Sequence, residues 1–154
     1  MVISKKPCLK QLIEVYESEK CDGVIAAQKV PTTETYRYGI VKFKKGTNQF
    51  EALVEKPSPD KAPSNMADFG RFILNYKTVK EIKRKETGLG GELWLVDAIT
   101  RASQNGAKFL VHEVDGKWLT TGDPLRYMQT QVLYALERKD ISGDFKKFLA
   151  TLKI

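Results

Sequence analysis

The sequence predicts an α/β fold with an inserted β-hairpin, and three features carry that expectation. Amphipathic helical stretches alternate with short apolar runs. Two strand-like segments flank the turn Gly46-Thr47-Asn48, and the step Asp123-Pro124 announces a helix late in the chain.

Taken in order, Leu9, Leu12, Ile13 and Tyr16 recur at helical spacing after Pro7, which predicts an amphipathic helix to about Ser18. Asp22-Gly23 then turns the chain into Val24-Ile25-Ala26-Ala27, an apolar run that reads as a buried strand. Pro31 to Thr35 reads as a polar loop. Tyr38 to Phe43 and Phe50 to Val54 read as the two arms of a hairpin. Three prolines between Pro57 and Pro63 require a loop. Ala67 to Leu74 is strand-like, interrupted by Gly70, where the backbone is expected to approach something closely.

Thr78 to Glu86 reads as a helix with a basic outer face, Gly88 to Gly91 as a flexible loop, and Glu92 to Ser103 as a largely buried helix. Lys108 to Val114 alternates Phe109, Val111 and Glu113 against Leu110, His112 and Val114, as a strand does. A short extended piece follows Gly116. Asp123 before Pro124 is a strong helix start, and Leu125, Met128, Val132 and Leu136 are expected to line one face. Ser142 opens a last helix with an apolar stripe of Phe145, Phe148, Leu149 and Leu152. No internal repeat interrupts this order, and residues 1–154 read as a single domain.

Composition narrows the function classes. The 154 residues can bury a core, and 42% apolar with 29% charged residues is the balance of a soluble globular protein. No run approaches the roughly 18 to 20 apolar residues of a membrane helix, and the first seven residues lack the apolar stretch of a secretory signal. A cytoplasmic location and no membrane partner are therefore expected. Cys8 and Cys21 have neither metal spacing nor the density of a disulfide scaffold, and both read as reduced thiols. His112 is the single histidine, which excludes a multi-histidine metal site or a histidine-based triad within one chain. The net charge of +7 raises the possibility of nucleic acid. However, the lysines are dispersed among acidic residues and no nucleic-acid motif is present, so nucleic acid is not the expected partner. A phosphorylated substrate would be favoured by the same field.

Four segments concentrate the residues that could do chemistry: Tyr38-Gly39, Glu55-Lys56-Pro57, Ser64 to Arg71, and Gly116 to Asp123. Each has a plainer reading. A Glu-Lys pair at a strand end is ordinarily a solvated surface pair, Gly39 and Gly70 can serve packing alone, and Trp118 suits a core. Gly88 to Gly91 lacks the Lys-Ser/Thr of a nucleoside-triphosphate loop.

In their order, however, these segments resemble the sugar-1-phosphate nucleotidylyltransferase family. Glu55-Lys56-Pro57 and the stretch from Asn65 to Phe72 are similar to that family's Glu-Lys-Pro loop and the strand after it. Pro7 to Leu12, Arg37 to Val41 and Ala62 to Asn65 bring the resemblance closest to bacterial UTP–glucose-1-phosphate uridylyltransferases. Gly90-Gly91-Glu92-Leu93, continuing to Asp97-Ala98-Ile99, resembles their Gly-Glu-x-x-x-x-Asp-Ala-Ile helix. The resemblance runs nearly end to end, and it is to the sugar-binding, carboxy-terminal part of such enzymes. It implies a partial Rossmann-like nucleotide-diphospho-sugar transferase fold.

It implies also that Glu55 accepts hydrogen bonds from sugar hydroxyls and that Lys56 sets its ammonium against the sugar phosphate. Gly39 and the backbone from Asp68 to Gly70 would line the sugar. Sugar 1-phosphates or nucleotide sugars are the implied ligands. The reaction implied for the full-length enzyme, with Mg²⁺, joins glucose 1-phosphate to UTP and releases pyrophosphate.

Two departures qualify the resemblance. The family's amino-terminal Gly-rich nucleotide loop and the Asp that serves as its first metal ligand have no counterpart, and the chain opens on a helix where a doubly wound domain opens on a strand. At the second metal position Thr120 replaces the family's Asp, and a hydroxyl lacks the carboxylate charge that Mg²⁺ prefers. Asp123 is a substitute candidate, although capping the helix at Pro124 is its better reading. The expectation is a fragment without a complete catalytic set, inactive alone, holding no metal tightly and associating with further copies of itself. The alternative is a non-catalytic sugar-nucleotide-binding or regulatory subunit of the same fold.

Overall fold

A computed structural model describes residues 1–81 and 94–152 of the chain. In chain order the elements are β1 Val2–Ile3, α1 Cys8–Ser18, β2 Gly23–Lys29, a 3-10 helix at Thr32–Arg37, β3 Gly39–Phe43, β4 Phe50–Glu55 and β5 Met66–Leu74. They continue with α2 Tyr76–Glu81, α3 Leu95–Gln104, β6 Phe109–Glu113, β7 Lys117–Trp118, α4 Pro124–Glu137 and α5 Ser142–Thr151. The expected loop at 88–91, the last residues of the helix expected to Glu86 and the first of that expected from Glu92 lie outside the described residues. The chain divides into two compact units, one of Cys8–Val114 and one of Met1–Pro7 with Asp115–Ile154.

The larger unit is an α/β structure around a five-stranded mixed sheet in the order β4-β3-β5-β2-β6. β2 pairs parallel with β6 and antiparallel with β5, and β3 and β4 form the expected hairpin. Parallel strands buried on both faces read as unbroken apolar runs, and Gly23 to Ala27 are buried accordingly. Ile25 and Ala27 join Ile99 and Ala102 of α3 in the core, together with Val41, Phe50, Met66, Phe109 and Val111. The intervening residues face α1: Ala26 is level with His112, whose Nε2 lies 3.4 Å from Gln11 Oε1. Burial holds that imidazole below its ordinary pKa, which suits a neutral, structural histidine. Gly23 is the one position in β2 where a side chain cannot fit, since a Cβ there would lie 2.8 Å from the Phe109 ring and 2.5 Å from Ile73 O.

Where helices face differs from the expectation. The inner side of α1 carries Cys8, Gln11 and Leu12, whereas Leu9 and Ile13 point to solvent. Apolar residues spread over more than one side of α1, each residue advancing about 100°, and the side that packs is that of Cys8 and Leu12. The polar loop expected at Pro31 to Thr35 is instead the start of the 3-10 helix, held by Thr35 Oγ1 donating to Thr32 O at 3.0 Å. Cys8 and Cys21 are free thiols, as expected.

In the smaller unit β1 and β7 form an antiparallel ribbon with Val2 opposite Trp118. α4 begins as the sequence requires, with Asp123 Oδ1 accepting from Arg126 N at 2.9 Å and Pro124 following. The apolar line expected along α4 is outward over its first turns, where Leu125 is 65% and Met128 61% exposed. Thr130 is the buried residue of this helix, donating to Thr120 O at 2.7 Å. Phe148 on α5 and Leu152 just past its end are likewise exposed. Among the described residues no helix is long and apolar enough to cross a membrane.

One carboxylate fastens the far end of the sheet. Asp22 accepts from Lys108 N at 2.8 Å and from Asn75 Nδ2 at 2.7 Å, while its backbone bonds to the same two residues. It thereby locks the entry of β2 to the exit of β5 and the entry of β6. Charged hydrogen bonds of this kind contribute about 1.5–3 kcal/mol each, so Asp22→Ala is expected to lower unfolding free energy by about 3 kcal/mol. Urea denaturation followed by circular dichroism measures it.

Candidate functional site

Strand register assembles the residues singled out in the larger unit. Gly39, first in β3, lies opposite Glu55, last in β4. On the other side of β3, Ile40 pairs antiparallel with Ala67, a register that continues to Gly39 opposite Asp68. Asp68 in turn faces Ala27, and Ala27 faces Glu113. Residues in register share a face of the sheet. The order Glu55, Gly39, Asp68, Ala27, Glu113 is thus one row across all five strands: three carboxylates separated by two of the smallest residues.

Each member of the row is held differently. A Cβ on Gly39 would fall 2.5 Å from Leu53 Cδ2 and 3.1 Å from Glu55 Oε2, so the missing side chain is what lets the Glu55 carboxylate lie close over β3. Glu55 and Lys56 are 46% and 63% exposed, with Lys56 Nζ 3.7 Å from Glu55 Oε1. An exposed pair at that distance contributes little to stability, so both charges are available to a ligand. Glu113 is paired with Lys29 at 2.9 Å.

The backbone at Lys56 is strained. Its φ of 46° is in the left-handed region, which costs a residue with a Cβ about 1–2 kcal/mol. Neighbouring contacts impose it: Lys56 N donates to Tyr38 O at 3.0 Å, and Pro57 is buried with its carbonyl 3.4 Å from Thr35 Oγ1. Strain of this kind collects where function over-determines the chain. Thr35 and Pro57 are the supports that sequence reasoning missed. The signal available was Pro57 itself, which fixes φ and so makes a firm anchor immediately after a charged pair.

Asp68 sits at an irregularity. β5 has three residues, Phe69 to Arg71, where β2 has only Ala26. Gly70 absorbs the excess with φ 77°, and its N–H donates to Asp68 Oδ1 at 2.9 Å. Beyond its two chain neighbours, no atom of the described residues lies within 4 Å of where a Cβ would stand on Gly70, so within the protein the glycine serves its backbone conformation, not a tight packing contact. Burial drives the Asp68 pKa from 3.8 up to about 6, opposed by the Gly70 and Phe69 N–H groups and reinforced by the negative charge of Glu55.

In the smaller unit, Thr120 and Asp123 are both committed to the start of α4. Thr120 Oγ1 accepts from Gly122 N at 3.3 Å, while Asp123 holds Arg126 through its backbone N–H and, at 3.4 Å, its guanidinium. A neutral hydroxyl and a carboxylate already satisfied by a cap do not fit a Mg²⁺ site, which needs carboxylate charge and open coordination positions. Among the described residues no three potential ligands cluster.

Comparison with known proteins gives these features a family context. The sequence profile described as "Nucleotidyl transferase" matches residues 2–136. A UTP–glucose-1-phosphate uridylyltransferase of Staphylococcus epidermidis is 34% identical, over 100% of this chain and 54% of that protein. UTP–glucose-1-phosphate uridylyltransferase 2 of Streptococcus pyogenes serotype M3 is 35% identical, over 96% of this chain and 50% of its own length. Among solved structures, a UDP-glucose pyrophosphorylase from Acinetobacter baumannii superposes with a TM-score of 0.84 at 26% identity, covering 99% of this chain and 54% of the other. The chain spans about half the length of the curated relatives it matches.

A pH prediction follows from Asp68. Its folded pKa exceeds the unfolded one, so the protonated form is favoured on folding; stability from this group is full below about 3.8 and is lost as pH rises through about 6. The loss amounts to about 3 kcal/mol at most. Asp68→Asn, which keeps the acceptor for Gly70 N, is expected to differ least from the parent near pH 4 and to exceed it by about 2–3 kcal/mol near pH 8. Denaturation series at both pH values check this.

Proposed function

The chain belongs to the nucleotidyl transferase family, and from that premise we propose that it forms the sugar-phosphate-binding portion of a UTP–glucose-1-phosphate uridylyltransferase. In the proposed reaction a phosphate oxygen of glucose 1-phosphate bonds to the α-phosphorus of UTP, the bond from that phosphorus to the bridging oxygen breaks, and pyrophosphate leaves. The protein forms no covalent bond, so its part is to position the reactants and offset their charge.

The observation that supports this reading is the exposed Glu55–Lys56 pair at the end of β4, beside the gap left by Gly39. Glu55 would accept from sugar hydroxyls, and Lys56 would hold the phosphate as a compact point charge. The open backbone around Asp68 and Gly70 would line the sugar. The chain alone is proposed to bind without turnover, because neither Thr120 nor Asp123 suits the Mg²⁺ that the transfer is expected to use. Those same two residues support a second reading, a non-catalytic sugar-nucleotide-binding or regulatory subunit of this fold. Self-association belongs to the proposal too, supported by the outward Leu125 and Met128 of α4 and Phe148 of α5.

Calorimetric titration with glucose 1-phosphate is expected to give weak binding. Lys56→Ala and Glu55→Ala should each reduce it by about tenfold or more, the equivalent of a charged hydrogen bond. No heat at millimolar ligand, or unchanged affinity in both variants, defeats the reading. Gly39→Ala pushes Leu53 and the Glu55 carboxylate aside. It should weaken binding several-fold while lowering stability by only about 1 kcal/mol, because the displaced Leu53 methyl is the end of a flexible side chain. A thermal melt and a titration on the same sample separate the two effects.

A further inference from the structure

The sheet row holds a carboxylate that the proposed sugar contacts do not use. Asp68 lies between Gly39 and Ala27, with no bulky side chain on either neighbouring strand to shield it from Glu55. The bulge at Phe69 to Arg71 and the Gly70 N–H fix its direction at 2.9 Å. Among the charged groups nearby, Lys29 is taken by Glu113, Arg71 stacks 5.7 Å from the Phe69 ring, and Lys56 is beside Glu55. Glu55 is the charged group whose field reaches Asp68 strongly enough to move its ionisation.

We propose that Asp68 sets the charge of the sugar-phosphate site: protonated, it leaves the Lys56 ammonium and the Glu55 carboxylate in balance, and ionised, it adds to the row an anion that neither lysine offsets and that repels a phosphorylated sugar. The proposal rests on reading this site as a sugar-phosphate site. With Asp68 neutral the row and its lysine sum to no net charge at Glu55 and Lys56; with Asp68 ionised they sum to one negative charge, facing a ligand that is itself negative. The half-buried position of Asp68 makes that charge poorly screened. Linkage requires the converse as well: a bound anionic ligand makes the Asp68 proton harder to remove. The site would therefore hold anionic sugar ligands more tightly in mildly acidic than in alkaline solution.

The test uses the whole chain and UDP-glucose, whose diester phosphates keep a fixed charge over the range of interest, unlike a monoester with its own ionisation near about 6. Affinity is measured by calorimetry near pH 5.5 and pH 8 for the parent and for Asp68→Asn. The parent is expected to weaken about three- to tenfold across the interval, consistent with one partly screened charge, and Asp68→Asn to hold the low-pH affinity at both pH values within a factor of about two. A carboxyl-selective NMR titration should show the Asp68 midpoint moving up on ligand saturation.

Binding of the parent that is independent of pH, or an equal slope in Asp68→Asn, overturns the proposal and leaves the sugar-site reading standing. Failure of the parent to bind at either pH overturns both. Asp68→Asn that loses affinity at both pH values would make the residue structural and overturn the charge-setting role.

Discussion

Everything at the candidate site depends on how β5 is registered between β2 and β3. It is the middle strand of the sheet, bonded to one neighbour along most of its length and to the other where Ala67 meets Ile40. The bulge lets Met66 to Asp68 and Phe72 to Leu74 both pair correctly with β2 although three residues stand against one between them. Without Gly70 in the left-handed region the excess could not be taken up in so short a span, and a slip of one residue would turn Asp68 to the opposite face. The row of carboxylates is a product of register, and register is a product of one permissive glycine.

Much of the fold was legible because local chemistry and tertiary packing agree. The turn at Gly46 to Asn48, the apolar run after Asp22-Gly23 and the Asp123-Pro124 helix start are each stated by residues adjacent in sequence. Helix facing was not legible. In α1 and α4 apolar residues lie on more than one side of the helix, and which side is buried is decided by tertiary contacts. Gln11 and Thr130 are buried because of what they reach, His112 and Thr120 O respectively, and no spacing rule selects them.

The site divides in the same way. Glu55, Lys56 and Gly39 could be nominated from a tripeptide and a strand start. The strained φ of Lys56, and the buried Thr35 and Pro57 behind it, are consequences of the 3-10 helix, which the sequence presents as a polar loop. The environment of Asp68 is likewise a tertiary fact. Its burial and its closeness to Glu55 arise from two strand pairings between segments far apart in the chain, and nothing in the string Ala67-Asp68-Phe69-Gly70 distinguishes a raised acid from an ordinary turn aspartate. For a proposed ligand carrying phosphate, this means that the attractive residues are locally encoded and the opposing one is encoded by the fold.

The hairpin tip has a role beyond joining two strands. Asn48 O accepts from Val111 N at 3.1 Å and Gln49 bridges to Leu110, so the turn that ends one border of the sheet reaches round to the other. Ser103 Oγ, donating to Phe50 O at 2.7 Å, ties this curl to α3. A strand border with free amides recruits further strands, and here part of the β6 border is already occupied from within. The length of the Lys44–Gln49 turn is thereby constrained by a strand some sixty residues downstream: a residue gained or lost there would unbutton the curl and leave β6 open to templating by a neighbouring molecule.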